Sequence, residues 1–226
     1  MNTLAVTKRT ALLAGGTGLV GRALLSLLLA SDQYRKVHLL VRRVASNLPH
    51  SAKLKVQVVD FAQLPNPALP AADDVFIALG TTTKVARSEH AFRQVDFDYV
   101  VNIARGALSV GAKRLAVVSA VGADPRSRVF YYRVKGEMEV AVAQLGYETV
   151  VIAQPSLLLG DRGALGQPAR RAEDLATRFL GPVSWIVPRS VRPISARSVA
   201  GAMFAEVLAA TPGVRRLKSG AMQGGD

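Results

Sequence analysis

The sequence predicts an α/β fold in which helices cover both faces of a parallel sheet. Three observations carry this. Short β-branched or aliphatic runs alternate with segments of helical periodicity up to about residue 154. The runs are apolar throughout, as in Leu115–Val118, which suits strands buried on both faces. A glycine cluster joins the first run directly to the first helical segment.

Thr10–Ala14 reads as the first buried strand, followed by a helix over Leu19–Ser31. Val37–Val41 and Leu54–Val59 read as the second and third strands, and Asp74–Leu79 as the fourth. From Ser88 to about Val110, Phe92, Val95, Tyr99, Ile103 and Leu108 recur at helical spacing. Arg114–Ser119 is the fifth strand, Phe130–Leu145 the next helix and Thr149–Ala153 the sixth strand. After Gln154 a loop with Pro155, Gly160, Gly163, Gly166 and Pro168 leads into a helix near Arg170–Leu180, and another helix covers Ala196–Ala210. The expectation is one domain over residues 1–210, with 155–210 forming a small lobe over the sheet's carboxyl edge. The polar, glycine-rich residues 211–226 are expected to form a flexible tail.

Composition narrows the function classes. There is no cysteine, so disulfides, thiolate metal sites and cysteine nucleophiles are excluded. His38, His50 and His90 are scattered, and no metal is expected. The run Leu24–Ala30 is broken by Ser26 and is too short to span a bilayer. Residues 1–9 lack the apolar core of a secretory signal, so the expectation is a cytoplasmic protein without a membrane partner. The net charge of +13 raises a nucleic-acid partner. The basic residues form no long run and no aromatic–basic RNA motif, which favours an arginine-rich surface and a pocket for a phosphate-bearing ligand.

The strand Thr10–Ala14 runs into Gly15-Gly16-Thr17-Gly18-Leu19-Val20-Gly21, where a helix opens. Gly15, Gly18 and Gly21 fit G-x-x-G-x-x-G: one for a tight turn, one for backbone approach to a pyrophosphate, one for helix–strand packing. The amides and positive end of the helix then face the phosphates. A glycine-rich turn without ligand is the bland alternative. With the strand before and the helix after, the pattern is that of a Rossmann-like doubly wound sheet holding a dinucleotide. About 20 residues past the cradle the second strand ends in Arg42-Arg43, with no acid. Guanidinium forks suit a 2′-phosphate, so NADP is expected, with NAD left open. At the third strand's end Asp60 is a candidate acceptor for an adenine amino group, with Phe61 beside the ring. Leu79-Gly80-Thr81-Thr82 closes the fourth strand with residues that let the dinucleotide pass close to the sheet edge.

Tyr131 and Lys135 form Y-x-x-x-K and share one helical face. An ammonium beside a phenol favours its ionised form, so Tyr131 is a candidate acid/base for a carbonyl or alcohol oxygen. Lys135 is also a candidate partner for the nicotinamide ribose. Ser119, at the end of the fifth strand, is a candidate hydrogen-bond partner for the same substrate oxygen; a plain strand-end hydroxyl is the alternative. Tyr132 lies about 100° round the helix and is expected to pack toward the sheet or the C-terminal loop.

In this order, these features resemble the short-chain dehydrogenase/reductase superfamily, and within it the atypical Tat-interacting-protein type oxidoreductases. Further matches are Val95-Asp96-x-Asp98-Tyr99-Val100, Val134-Lys135-Gly136-Glu137 and Pro155-Ser156-Leu157-Leu158-Leu159-Gly160-Asp161-Arg162. The resemblance implies NADPH binding, with Pro155, Ser156, Leu157 and Arg162 near the nicotinamide end and residues 155–210 as a small C-terminal substrate lobe. It also departs from the pattern: Asp96 stands where extended members often carry asparagine, and Ala14 where many have threonine. The favoured expectation is an NADP-dependent oxidoreductase acting on a small carbonyl or alcohol substrate. An NADPH-binding regulator with little turnover is the alternative. A protein partner or self-association stays open, and nucleic acid has only composition behind it.

Overall fold

The computed structural model describes residues 8–43, 47–65, 69–159 and 192–223. Its centre is a seven-stranded sheet in the order β3-β2-β1-β4-β5-β6-β9. The strands are β1 (Arg9–Ala14), β2 (Tyr34–Val41), β3 (Leu54–Val58), β4 (Asp74–Ile77), β5 (Arg114–Val118), β6 (Thr149–Gln154) and β9 (Gly213–Lys218), and every pairing is parallel. Chain order reverses between β1 and β4, and such a switch point opens a crevice at the carboxyl ends of the strands.

Each buried strand feeds two cores because alternate side chains point to opposite faces. Leu13, Leu39, Phe76, Ala116 and Val151 face one side, against α1 (Leu19–Ala30) and α6 (Ala196–Ala209). Leu12, Leu40, Val75, Leu115 and Ile152 face the other, with α4 (Tyr99–Ser109) and α5 (Phe130–Ala143). At the sheet's amino edge Asp74 is buried, accepting from Tyr34 at 2.6 Å and pairing with Arg114 at 2.8 Å and Arg9 at 3.3 Å. Three interacting groups surround that carboxylate, so burial leaves no bare charge.

The long helix expected over 88–110 is divided. A short α2 (Thr83–Ala86) precedes α3 (Glu89–Arg93), and a π-turn over Gln94–Asp98 joins α3 to α4. A π-turn leaves the apolar spacing nearly helical, so periodicity does not reveal it. The flexible tail is also corrected. Gly213–Lys218 forms β9 against β6, and Ser219–Met222 a 3₁₀ turn. A short pair, β7 (Leu158–Leu159) with β8 (Ile194–Ser195), links the segment after β6 to α6. The helix expected near Arg170–Leu180 lies outside the described residues.

Candidate functional site

The glycine loop meets the steric demands of a phosphate cradle. Gly15 has φ +88°, and a Cβ there would stand 2.4 Å from the Ala78 carbonyl oxygen. At Gly21 a Cβ would stand 2.0 Å from the Gly15 oxygen, so helix and loop touch through backbone alone. Gly18 differs: among the described residues its only neighbour would be the Gly15 oxygen at 3.5 Å, so they leave the space in front of it open. Gly18 is also the N-cap of α1, with no side-chain cap and no acid in the first turn. Thr17 is exposed, Leu19 half-buried and Val20 buried. Backbone amides at an uncapped helix start, facing open space, fit a dinucleotide pyrophosphate.

Arg42 and Arg43 are exposed just past β2, beside the cradle strand, and no ion-pair partner meets them among the described residues. Asp60 is occupied differently from the expectation. It accepts from the Ala62 amide and the Gln63 side chain, both at 3.0 Å, closing the turn after β3. Phe61 is 2% exposed with its ring edge-on to Tyr99, so it is a core residue and presents no open face to an adenine.

The chemistry centres on α5. Lys135 Nζ lies 2.8 Å from Asp96 Oδ1, with 4% and 0% of the two side chains exposed. Asp96 comes from the π-turn, and its other oxygen accepts from the Thr81 amide at 2.9 Å. A Cβ on Gly80 would be 3.4 Å from Asp96 Oδ1 and 3.9 Å from Lys135 Nζ. The ion pair therefore lies directly against Leu79-Gly80-Thr81-Thr82, at the sheet's carboxyl edge; Thr82 itself caps α2. Burial pulls the Lys135 ammonium down, but Asp96, Tyr131 and Glu139 more than offset this, holding it above the ordinary lysine value. A raised lysine stabilises the fold below its unfolded value, and that contribution is lost only as pH rises through the folded one, in alkaline solution.

Tyr131 precedes Lys135 by one turn. Its ring packs 5.5 Å from Phe92 and 5.3 Å from Tyr132. It lines a cleft of about 420 Å³ with Thr83, Arg87, Ser88, Glu89, Val129 and Phe130. Tyr132 does not face the sheet: it is partly exposed and covers the Gly122 turn, while most of the lobe loop, its other expected neighbour, lies outside the described residues.

Ser119 is held from behind. It is 4% exposed and donates to Glu139 Oε1 at 2.6 Å. The Glu139 carboxylate also accepts from Gln154 at 2.9 and 3.0 Å and from Arg216 at 3.2 Å. Because the serine hydrogen goes to a carboxylate, the hydroxyl has only lone pairs left for a substrate. Glu139 and Arg216 were not among the expected residues. Glu139→Ala is expected to leave buried donors unpaired and cost about 3 kcal/mol of stability. Urea unfolding reads this, and an unchanged midpoint would contradict it.

Pro155 offers its carbonyl to the Val121 amide at 2.9 Å, and Leu157 to the Ile194 amide at 3.0 Å. Ser156 Oγ bonds the Arg192 carbonyl and meets Ser219 Oγ at 2.9 Å. The Pro155 contact ties the segment after β6 to the loop after β5, and the Ser156 and Leu157 contacts fasten it to the C-terminal elements. Arg162 and most of the expected substrate lobe lie outside the described residues.

A family model described as NAD(P)H-binding matches residues 15–176. The chain is 35% identical over 182 residues to Protein HTATIP2 of Rattus norvegicus, covering 78% of this chain and 73% of that protein. It is 33% identical over 175 residues to the mitochondrial protein fmp52 of Emericella nidulans, covering 75% and 73%. Among solved structures, the Bordetella bronchiseptica enzyme WbmG in complex with NAD gives a TM-score of 0.68 at 15% identity, over 97% of this chain and 75% of that one. A short-chain dehydrogenase/reductase family oxidoreductase from Burkholderia thailandensis gives 0.66 at 19%, over 96% and 94%. Such low identities establish a shared fold. The cytoplasmic expectation is corrected by the relatives, several of which are FMP52 proteins named mitochondrial. No helix among the described residues is long and apolar enough to cross a membrane.

Proposed function

The chain belongs to the NAD(P)H-binding family, and from that premise we propose that it is an NADP-dependent oxidoreductase moving hydride between the cofactor and a small carbonyl or alcohol. The observation that carries this reading is the buried Lys135 ammonium against Gly80, one helical turn from Tyr131, which lines a cleft. A bound nicotinamide supplies or accepts the hydride. Gly15, Thr17, Gly18, Leu19, Val20 and Gly21 would cradle the pyrophosphate, Gly18 through the open space at its Cα, since its amide donates to the Gly15 carbonyl at 3.0 Å. Tyr131 gives a proton to the carbonyl oxygen, or takes one from the alcohol in reverse. Lys135 supplies a fixed positive charge beside that phenol and toward the ribose. Ser119 orients the substrate by accepting a hydrogen bond. Asp60 retains a place at the adenine end only if the turn that it closes opens.

The preference for NADP rests on Arg42 and Arg43, two exposed guanidinium groups at a strand end that carries no acid. Arg42→Ala is expected to weaken NADPH by about 1.5–3 kcal/mol, one charged contact, while barely changing NADH. Calorimetric titration of both cofactors checks this, and equal affinities for the parent protein remove the argument.

A second reading has an observation of its own. Lys135 and Ser119 both find acidic partners inside the protein, Asp96 and Glu139, and satisfied groups suit an NADPH-binding regulator with little turnover. A panel of small carbonyl compounds, followed by NADPH absorbance, separates the two. Turnover of any compound supports the oxidoreductase, and tight NADPH binding with none turned over supports the regulator.

A further inference from the structure

The Asp96–Lys135 pair bears on a property of nicotinamide beyond its binding: the oxidised ring carries a positive charge and the reduced ring does not. We propose that Asp96 determines specificity for the oxidation state of the cofactor, its carboxylate cancelling the Lys135 ammonium so that the site accepts the oxidised form. This rests on the dinucleotide reading above. The pair meets Gly80 on the sheet edge along which the dinucleotide runs, and both side chains are almost wholly buried. Charges shielded from water act more strongly than exposed ones.

The surrounding charges leave this pair in control. Glu139, one turn further along α5, is already bound by Ser119, Gln154 and Arg216. Glu137 is paired with Arg93, and both are partly exposed. Glu89 and Arg87 stand at the outer cleft, both exposed, beside Tyr131. With Asp96 neutral, Lys135 becomes an excess positive charge that opposes a cationic ring and leaves a neutral one untouched. Asparagine has the same size and keeps an oxygen for the Thr81 amide, so Asp96→Asn removes the charge and preserves the segment around Gly80.

The test is calorimetric titration of the purified protein with NADP⁺ and with NADPH, with the ratio of the two Kd values as readout. Asp96→Asn is expected to raise the ratio of NADP⁺ Kd to NADPH Kd by on the order of tenfold. Lys135→Gln is expected to lower it. The double variant, with no charge at either position, is expected to return it to within about twofold of the parent. Removing one partner leaves a buried charge uncompensated, so circular dichroism accompanies each variant. If Asp96→Asn does not fold, the double variant still decides: a ratio several-fold from the parent's overturns the cancellation. An unchanged ratio in folded Asp96→Asn also overturns the role of Asp96 and leaves the oxidoreductase reading standing. Failure of the parent protein to bind either cofactor overturns that reading itself.

Discussion

Tyr131→Phe is expected to cut carbonyl turnover by on the order of 10²–10⁴ while leaving NADPH affinity within about twofold of the parent. The phenol oxygen is the only atom removed. The ring that packs on Phe92 and Tyr132 remains, so the cleft keeps its shape. Ser119 is no substitute donor, because its hydrogen is committed to Glu139. Tyr132→Phe serves as the control, since that side chain covers the Gly122 turn. Steady-state kinetics with a compound from the carbonyl panel reads the effect. A Tyr131→Phe protein as active as its parent would exclude this acid/base mechanism, whatever the fold.

Gly18→Val is expected to lower NADPH affinity by on the order of 100-fold, the loss of about two charge-assisted contacts to phosphate. The fold is expected to survive. Gly18 has φ −81° and ψ 173°, extended values that a β-branched residue adopts readily, and among the described residues only the Gly15 oxygen lies near its added Cβ. The side chain then fills the space through which the pyrophosphate must approach. Gly21→Val is the contrasting case. Its Cβ falls 2.0 Å from the Gly15 oxygen, so α1 cannot stay seated on the loop, and loss of folded protein is expected. Circular dichroism and NADPH titration together distinguish the two. A folded Gly18→Val protein that binds normally would put the cofactor elsewhere.

The inner strands β1, β4, β5 and β6 were legible because they are buried on both faces and read as nearly unbroken apolar runs, from Ala11–Ala14 to Val150–Ala153. The edge strand β9 was not. Gly213–Arg216 are exposed and only Leu217 of that strand is buried, so Gly-Val-Arg-Arg-Leu-Lys reads as a polar tail. Its stability comes from pairing with β6, which no local pattern announces. Glu139 was equally hidden, since a glutamate within a helix usually faces water. One signal was available: Tyr131, Lys135 and Glu139 are spaced four apart, which puts all three on one face of α5. Asp96 stood out in sequence only as a departure from an asparagine. That it meets Lys135 depends on the π-turn and on α3 and α4 packing against α5.

The most direct test of the account is the fate of the transferred hydrogen. NADPH deuterated on the reacting face of its nicotinamide is incubated with the protein and a carbonyl compound from the panel, and the product is weighed by mass spectrometry. The account predicts one deuterium on the carbinol carbon in the parent protein, and a rate of deuterium incorporation in Tyr131→Phe lower by on the order of 10²–10⁴. Tight NADPH binding with no deuterated alcohol from any compound would contradict an oxidoreductase acting through Tyr131 and Lys135.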